Sequence, residues 1–145
     1  MSPDEQIATV ENLMKTVNKG DLQGALQYVH PDFVIHEQPG LPYEGEWRGH
    51  DGFVSLMTYI GSIWKGWRDT PFPYELASVG SRVMKETRSS ATARSTGERI
   101  EMDMMEVLEF KDDLIHTIRP YYWDPEWVRR ATAGSPPPPS RGSAG

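Results

Sequence analysis

Apolar residues recur at Ile7, Val10, Leu13, Met14 and Val17, the three- and four-residue spacing of one helix face. Ser2-Pro3-Asp4-Glu5 ahead of them has the S-x-x-E form of a capping box with proline in the first turn. A first helix is therefore expected to about Lys19, closed by Gly20. Asp21 is placed to cap a second helix carrying Leu22, Ala25, Leu26 and Val29, and Pro31 ends it, giving an antiparallel hairpin. Phe53, Leu56, Met57, Ile60, Trp64 and Trp67 mark a third helix with an aromatic end and Asp51 as its N-cap.

Between the second and third helices, Phe33-Val34-Ile35-His36-Glu37 is a short β-rich run. It leads into the Pro/Gly-punctuated loop Gln38 to Gly45 and so delivers His36 and Glu37 to a loop edge. From Tyr74 the pattern becomes strands: Tyr74 to Val79, Arg82 to Arg88, Ala91 to Thr96, Glu98 to Phe110 and Leu114 to Trp123. Helices first and strands afterwards predict an α+β domain, a curved antiparallel sheet packed against three N-terminal helices around a pocket. Residues 1–131 form that domain, and 132–145 read as a disordered Pro/Gly/Ser tail with almost nothing to bury. The four prolines of that tail also suit a proline-binding module.

Composition narrows the function classes. The chain has 145 residues, enough for one core, and a formal net charge of −6, which opposes a nucleic-acid partner. It contains no cysteine, so disulfides, thiolate catalysis and thiolate metal sites are excluded. No segment approaches the roughly 18 uninterrupted apolar residues of a membrane span, and the N-terminus is acidic where a signal peptide is basic then apolar. No membrane association and a cytoplasmic location are expected. Histidines 30, 36, 50 and 116 show no metal-ligand spacing, and there is no glycine-rich phosphate loop and no G-x-S-x-G, so neither a metal nor any other cofactor is expected.

Several local patterns, in order, resemble the SnoaL-like polyketide cyclases and their ketosteroid isomerase relatives, the nuclear transport factor 2-like cone fold. They are Val17-Asn18-Lys19-Gly20-Asp21-Leu22, His30-Pro31-Asp32-Phe33-Val34-Ile35-His36-Glu37, Leu41-Pro42-Tyr43-Glu44-Gly45-Glu46-Trp47-Arg48-Gly49 and the hairpin Met105 to Ile115. The resemblance spans residues 7 to 124 and implies a cone-shaped domain. The superfamily hosts isomerases, cyclases, hydrolases, dehydratases and non-catalytic binders.

The resemblance also assigns residues. Glu37 falls on the position of the proton-shuttling carboxylate, and a carboxylate facing an apolar pocket has its charged form disfavoured. The bland alternative has Glu37 facing solvent. Glu106 falls where the isomerases hold a protonated acid that donates to an enolate oxygen, and by alternation it shares a face with Met102, Met104, Leu108 and Phe110. Its alternative is an ion pair with Arg119 or Arg94. The isomerase pattern has a tyrosine on the first helix where this chain has Leu13, which points from isomerase toward cyclase. The cyclases use an acid near the end of the last strand, and Asp124 is available there, or else caps Pro125-Glu126-Trp127. Asp103 enters the pocket only if a bulge intervenes, and His36 is either a structural hydrogen-bonding group or a proton relay.

Tyr59, Trp64, Trp67, Met104 and Tyr122 are the candidate substrate-binding residues, part of a rigid aromatic surface suited to a flat or polyunsaturated carbon skeleton. The expected function is a cofactor-independent, polyketide-type cyclase of natural-product biosynthesis, closing a ring on a hydrophobic small molecule by an aldol-type or formal [4+2] step. The alternatives are an epoxide hydrolase or ether-ring cyclase using the same acids, and a non-catalytic binding or dimerisation domain. The resemblance further implies a homodimer through the outer sheet face, where Met105 and Val107 lie.

Overall fold

The computed structural model describes residues 1–142, with the backbone alone at 70–74. Helix α1 (Pro3–Asn18) begins on the expected capping box: the Ser2 side chain accepts from the Glu5 backbone, and Glu5 accepts in return from the Ser2 backbone. The second helix is shorter than its periodicity suggests. α2 (Leu22–Ala25), capped by Asp21, passes into a 3₁₀ turn at Leu26–Tyr28. Val29, expected on that helix, instead opens strand β1 (Val29–Glu37), and Pro31 lies inside β1 rather than ending a helix. The β1–β6 register shifts between Val29 and Val34, and the irregularity accommodates a residue with no N–H to give.

Strand β2 (Gly45–Arg48) forms between the end of the expected loop and helix three, pairing antiparallel with β1 from Val34 against Arg48 to Glu37 against Gly45. Helix α3 (Gly49–Ile63) follows at once; its N-cap is Arg48, and Asp51, the expected cap, sits in the first turn. Trp64 and Trp67 are not on this helix. Backbone at Trp64 turns extended, and the two tryptophans begin β3 (Trp64–Val79). Their register against β4 (Arg82–Ala93) shifts between Lys65 and Arg68, where Gly66 takes a positive φ of 65°. This bulge lets the spacing of three mimic a helix.

Ser89 and Ser90, which fall between two of the expected strands, lie buried within the unbroken β4, because the Ser89 hydroxyl is satisfied by donating to Asp69. β5 (Arg99–Lys111), β6 (Leu114–Tyr122) and helix α4 (Pro125–Ala131) complete the order. The sheet runs β2-β1-β6-β5-β4-β3, antiparallel except for β1 beside β6. α1 and α3 pack on its inner face, so the α+β architecture around a pocket is the one expected. The described part of the tail beyond α4 has no regular structure, and 143–145 lie outside the described residues. Among the described residues no helix is long and apolar enough to cross a membrane.

Candidate active site

Alternation along β1 sends Phe33, Ile35 and Glu37 to the inner face and Val34 and His36 outward. Ile35 pairs with Ile118 in the parallel β1–β6 ladder, and continuing that register by two residues sets Glu37 level with Pro120. Pro120 pairs with Glu106 on β5, and Glu106 with Lys85 on β4. One row across the sheet therefore carries Glu37, Pro120, Glu106 and Lys85 on the inner face.

That row floors a cavity of about 440 Å³. Its walls are apolar, from Val10, Leu13 and Met14 on α1, Phe53, Met57 and Ile60 on α3, and Met104, Leu108 and Ile118 on the sheet. Polar groups gather at one end: Glu37, Asp69, Lys85, Glu106 and Tyr122. An apolar chamber with a few convergent polar groups is the ordinary form of a small-molecule site. A second, more open cleft of about 530 Å³ lies between α3 and Ser140 and Gly142, but its His50 ring is already bonded to the Val29 carbonyl at 2.8 Å.

Glu37 is only 6% exposed, and its Oε1 is buried with no hydrogen-bond partner. Burial, followed by the charge of Glu106, pushes its pKa well above the ordinary carboxylate value. Beside it the Tyr43 and Tyr122 hydroxyls meet at 2.6 Å. Both phenols are pushed up, first by burial, with the Glu37 charge adding to the effect, so they stay as hydroxyls and hydrogen-bond donors. Gln38 fixes the junction by accepting from the Tyr122 backbone at 2.7 Å.

Farther along the same row Lys85, 6% exposed, holds Glu106 at 3.0 Å and Asp69 at 3.4 Å. Burial drives the Lys85 ammonium down, but the two carboxylates and their hydrogen bonds outweigh it and the net direction is up. Asp69 also accepts from Ser89 at 2.7 Å and from the Trp67 indole at 3.3 Å. This arrangement corrects two expectations for Glu106. Its cationic partner is Lys85, because Arg119 is exposed on the other sheet face and Arg94 bonds the Gly61 carbonyl. It also accepts from an ammonium, which does not fit the part of a donating acid.

Of the candidate residues, Glu37, Glu106, Trp67, Met104 and Tyr122 line the cavity together. Asp124 does not; its carboxylate accepts from the Trp127 backbone at 3.1 Å and caps α4. Tyr59 and Trp64 are buried outside the lining, and the Tyr59 hydroxyl donates to the Pro136 carbonyl at 2.7 Å. Asp103 is on the outer face, paired to Arg88 at 2.8 Å, and His36 points outward toward Glu46. Sequence reasoning does not single out Lys85 or Asp69, and it includes Tyr43 only within the Leu41-to-Gly49 pattern, with no role in the site. Lys85 had a readable signal, since it alternates in phase with Val83 and Thr87; Asp69, beyond a bulge, had none.

Comparison with known proteins agrees with this fold. A protein from Burkholderia xenovorans LB400, described as NTF2-like, superposes with a TM-score of 0.84 at 24% identity over 91% of this chain and 98% of its own. A candidate SnoaL-like polyketide cyclase from Jannaschia sp. CCS1 gives 0.76 at 12% identity, covering 92% and 95%. A Mycobacterium tuberculosis LEH-like epoxide hydrolase gives 0.65 at 18% identity, covering 83% and 84%. At these identities the likeness is one of fold. No curated protein matches. The model of the SnoaL-like domain matches residues 10–118, most of the chain, and the protein belongs to the SnoaL-like domain family.

Proposed function

We propose that the protein is a cofactor-independent cyclase that closes a ring on an apolar, unsaturated, carbonyl-bearing substrate of the polyketide type. The observation that carries this reading is Glu37, a buried carboxyl with an unpartnered oxygen in an apolar cavity. Its raised proton affinity makes its carboxylate form a strong base, matched to a carbon acid flanked by carbonyls. Glu37 takes a proton from that carbon, the enolate carbon attacks a second carbonyl of the same molecule, and the new alkoxide recovers the proton from Glu37. The product is an isomer of the substrate.

The enolate oxygen needs a donor. With Tyr43 donating to Tyr122, the Tyr122 proton is free for an oxygen in the cavity, which supplies from β6 the hydroxyl that Leu13 cannot offer from α1. The Lys85 ammonium is the second candidate donor. Apolar walls fold the chain into a reactive conformer, the contribution that would dominate a [4+2] closure.

A protonated Glu37 is also suited to donate to an epoxide oxygen, and this favours epoxide opening as the second reading. A panel of poly-β-ketone and epoxide substrates, offered to the wild type and to Glu37→Gln, tests both. Ring-closed isomer from the ketones, formed about 10²- to 10⁴-fold more slowly by the variant, is the expected result. Near-normal closure by Glu37→Gln removes the proton-transfer mechanism. Turnover of the epoxides alone moves the assignment to hydrolysis.

A further inference from the structure

The tail segment from Ser135 to Gly142 follows α3 backwards. At one end Tyr59 donates to the Pro136 carbonyl at 2.7 Å, and at the other the Arg48 backbone donates to the Arg141 carbonyl at 2.9 Å. The eleven helical residues from Gly49 to Tyr59 rise about 16 Å, and five residue steps, the number from Pro136 to Arg141, span about the same in a polyproline conformation, roughly 15 Å. Prolines 136–139 restrict the free segment in advance, which lowers the entropy lost on docking.

The landing site is shaped for this segment. A Cβ on Gly52 would lie 2.7 Å from the Arg141 carbonyl oxygen, and one on Gly142 would collide with the backbone of Arg48 and Gly52. The Arg141 guanidinium donates to the Glu44 carbonyl and lies over the Trp47 ring, 4.9 Å from its centroid. Two anchors therefore hold the segment, and both lead to the same residue, one to its backbone and one to its ring. The Trp47 indole donates to the Tyr43 carbonyl at 2.9 Å, and Tyr59 packs edge-on against the Tyr43 ring at 6.4 Å. Tyr43, fully buried, in turn holds the Tyr122 hydroxyl at 2.6 Å.

We propose that residues 135–142 form a strap whose anchors, Pro136 on Tyr59 and Arg141 on Trp47, position Tyr43 and through it the Tyr122 hydroxyl at the polar end of the cavity. Arg141 is thus a positioning residue, touching neither Glu37 nor the cavity. The functional sense of the strap rests on the cyclase reading, while its geometry does not.

Hydrogen exchange and a ¹³C titration of Glu37 test this in the full chain, in Arg141→Ala, in Arg141→Lys and in a chain ending at Gly134. In Arg141→Ala and in the shortened chain, amide exchange over residues 41–47 is expected to rise about tenfold or more while β4 and β5 stay protected. The Glu37 midpoint is expected to fall as water reaches the loosened tyrosine pair, and Arg141→Lys should recover most of both. Unchanged exchange in both Arg141→Ala and the shortened chain overturns the proposal. So does a loosened loop with an unmoved Glu37 midpoint, which would make the strap merely structural. Should the shortened chain fail to fold, Arg141→Ala alone decides. None of these readouts uses turnover, so failure of the cyclase reading leaves the test intact.

Discussion

The hydroxyls of Tyr43 and Tyr122 lie 2.6 Å apart in the protein interior, one on the loop before β2 and the other at the end of β6. One hydroxyl donates to the other, and both residues are buried. Tyr122→Phe leaves the buried Tyr43 hydroxyl unpaired and should cost about 1–3 kcal/mol in urea unfolding. The double change to Phe at 43 and 122 should cost less than the sum of the two single changes, because no orphaned hydroxyl remains. Additive single effects would show that the pair is not formed in solution.

Lys85 is the cation of the cavity, and removing it strands two carboxylates. Lys85→Met should lose about 3–5 kcal/mol of stability, read by denaturant unfolding. Adding Glu106→Met should restore part of the loss, with Asp69 still held by Ser89 and Trp67. A loss below about 1 kcal/mol for Lys85→Met would place the cluster among surface ion pairs.

Asp124 separates a structural acid from a catalytic one. Asp124→Ala removes the cap of α4 and should cost about 1 kcal/mol, lowering the melting temperature by a few degrees, with kcat and KM unchanged on any substrate that the wild type turns over. A kcat loss of about tenfold or more in a folded variant would return Asp124 to the catalytic set.

Glu37 should make the protein less stable as pH rises. Below the ordinary carboxyl pKa, 4.5, folded and unfolded chains both hold the proton, and the residue contributes no pH dependence. Above it the unfolded chain releases the proton while the folded chain keeps it, so stability falls until pH passes the raised folded pKa and then levels. Glu37→Gln should match the wild type near pH 4 and melt a few degrees higher near pH 8, about what 1 kcal/mol gives in a domain of this size. Equal melting temperatures at both values would show that no desolvation cost is stored at this site.

The sequence was most legible where a local pattern and the tertiary structure agree. The Ser2–Glu5 capping box, the extended run that carries Glu37, and the phase of Glu106 with Met104 and Leu108 all hold in three dimensions. It was misleading where packing overrides spacing. Trp64 and Trp67 continue the rhythm of α3 by coincidence, and only a bulge at Gly66 shows that they belong to a strand. Val29 reads as helical, but α2 is a single turn, too short to persist without a packed face. Partners across the sheet were the least accessible: the choice of Lys85 over Arg119 or Arg94 for Glu106 follows from strand register, which no local pattern encodes.

The acid-base role of Glu37 depends on one property that can be measured without a substrate. In protein labelled with ¹³C at the glutamate side-chain carboxyls, and with Glu37→Gln to assign the signal, the Glu37 resonance can be followed from pH 3 to pH 10. The midpoint is expected well above the ordinary carboxyl value of 4.5, raised first by burial and then by the charge of Glu106. A midpoint at the ordinary value would contradict it, leaving a solvated carboxyl and a binding cavity without a base.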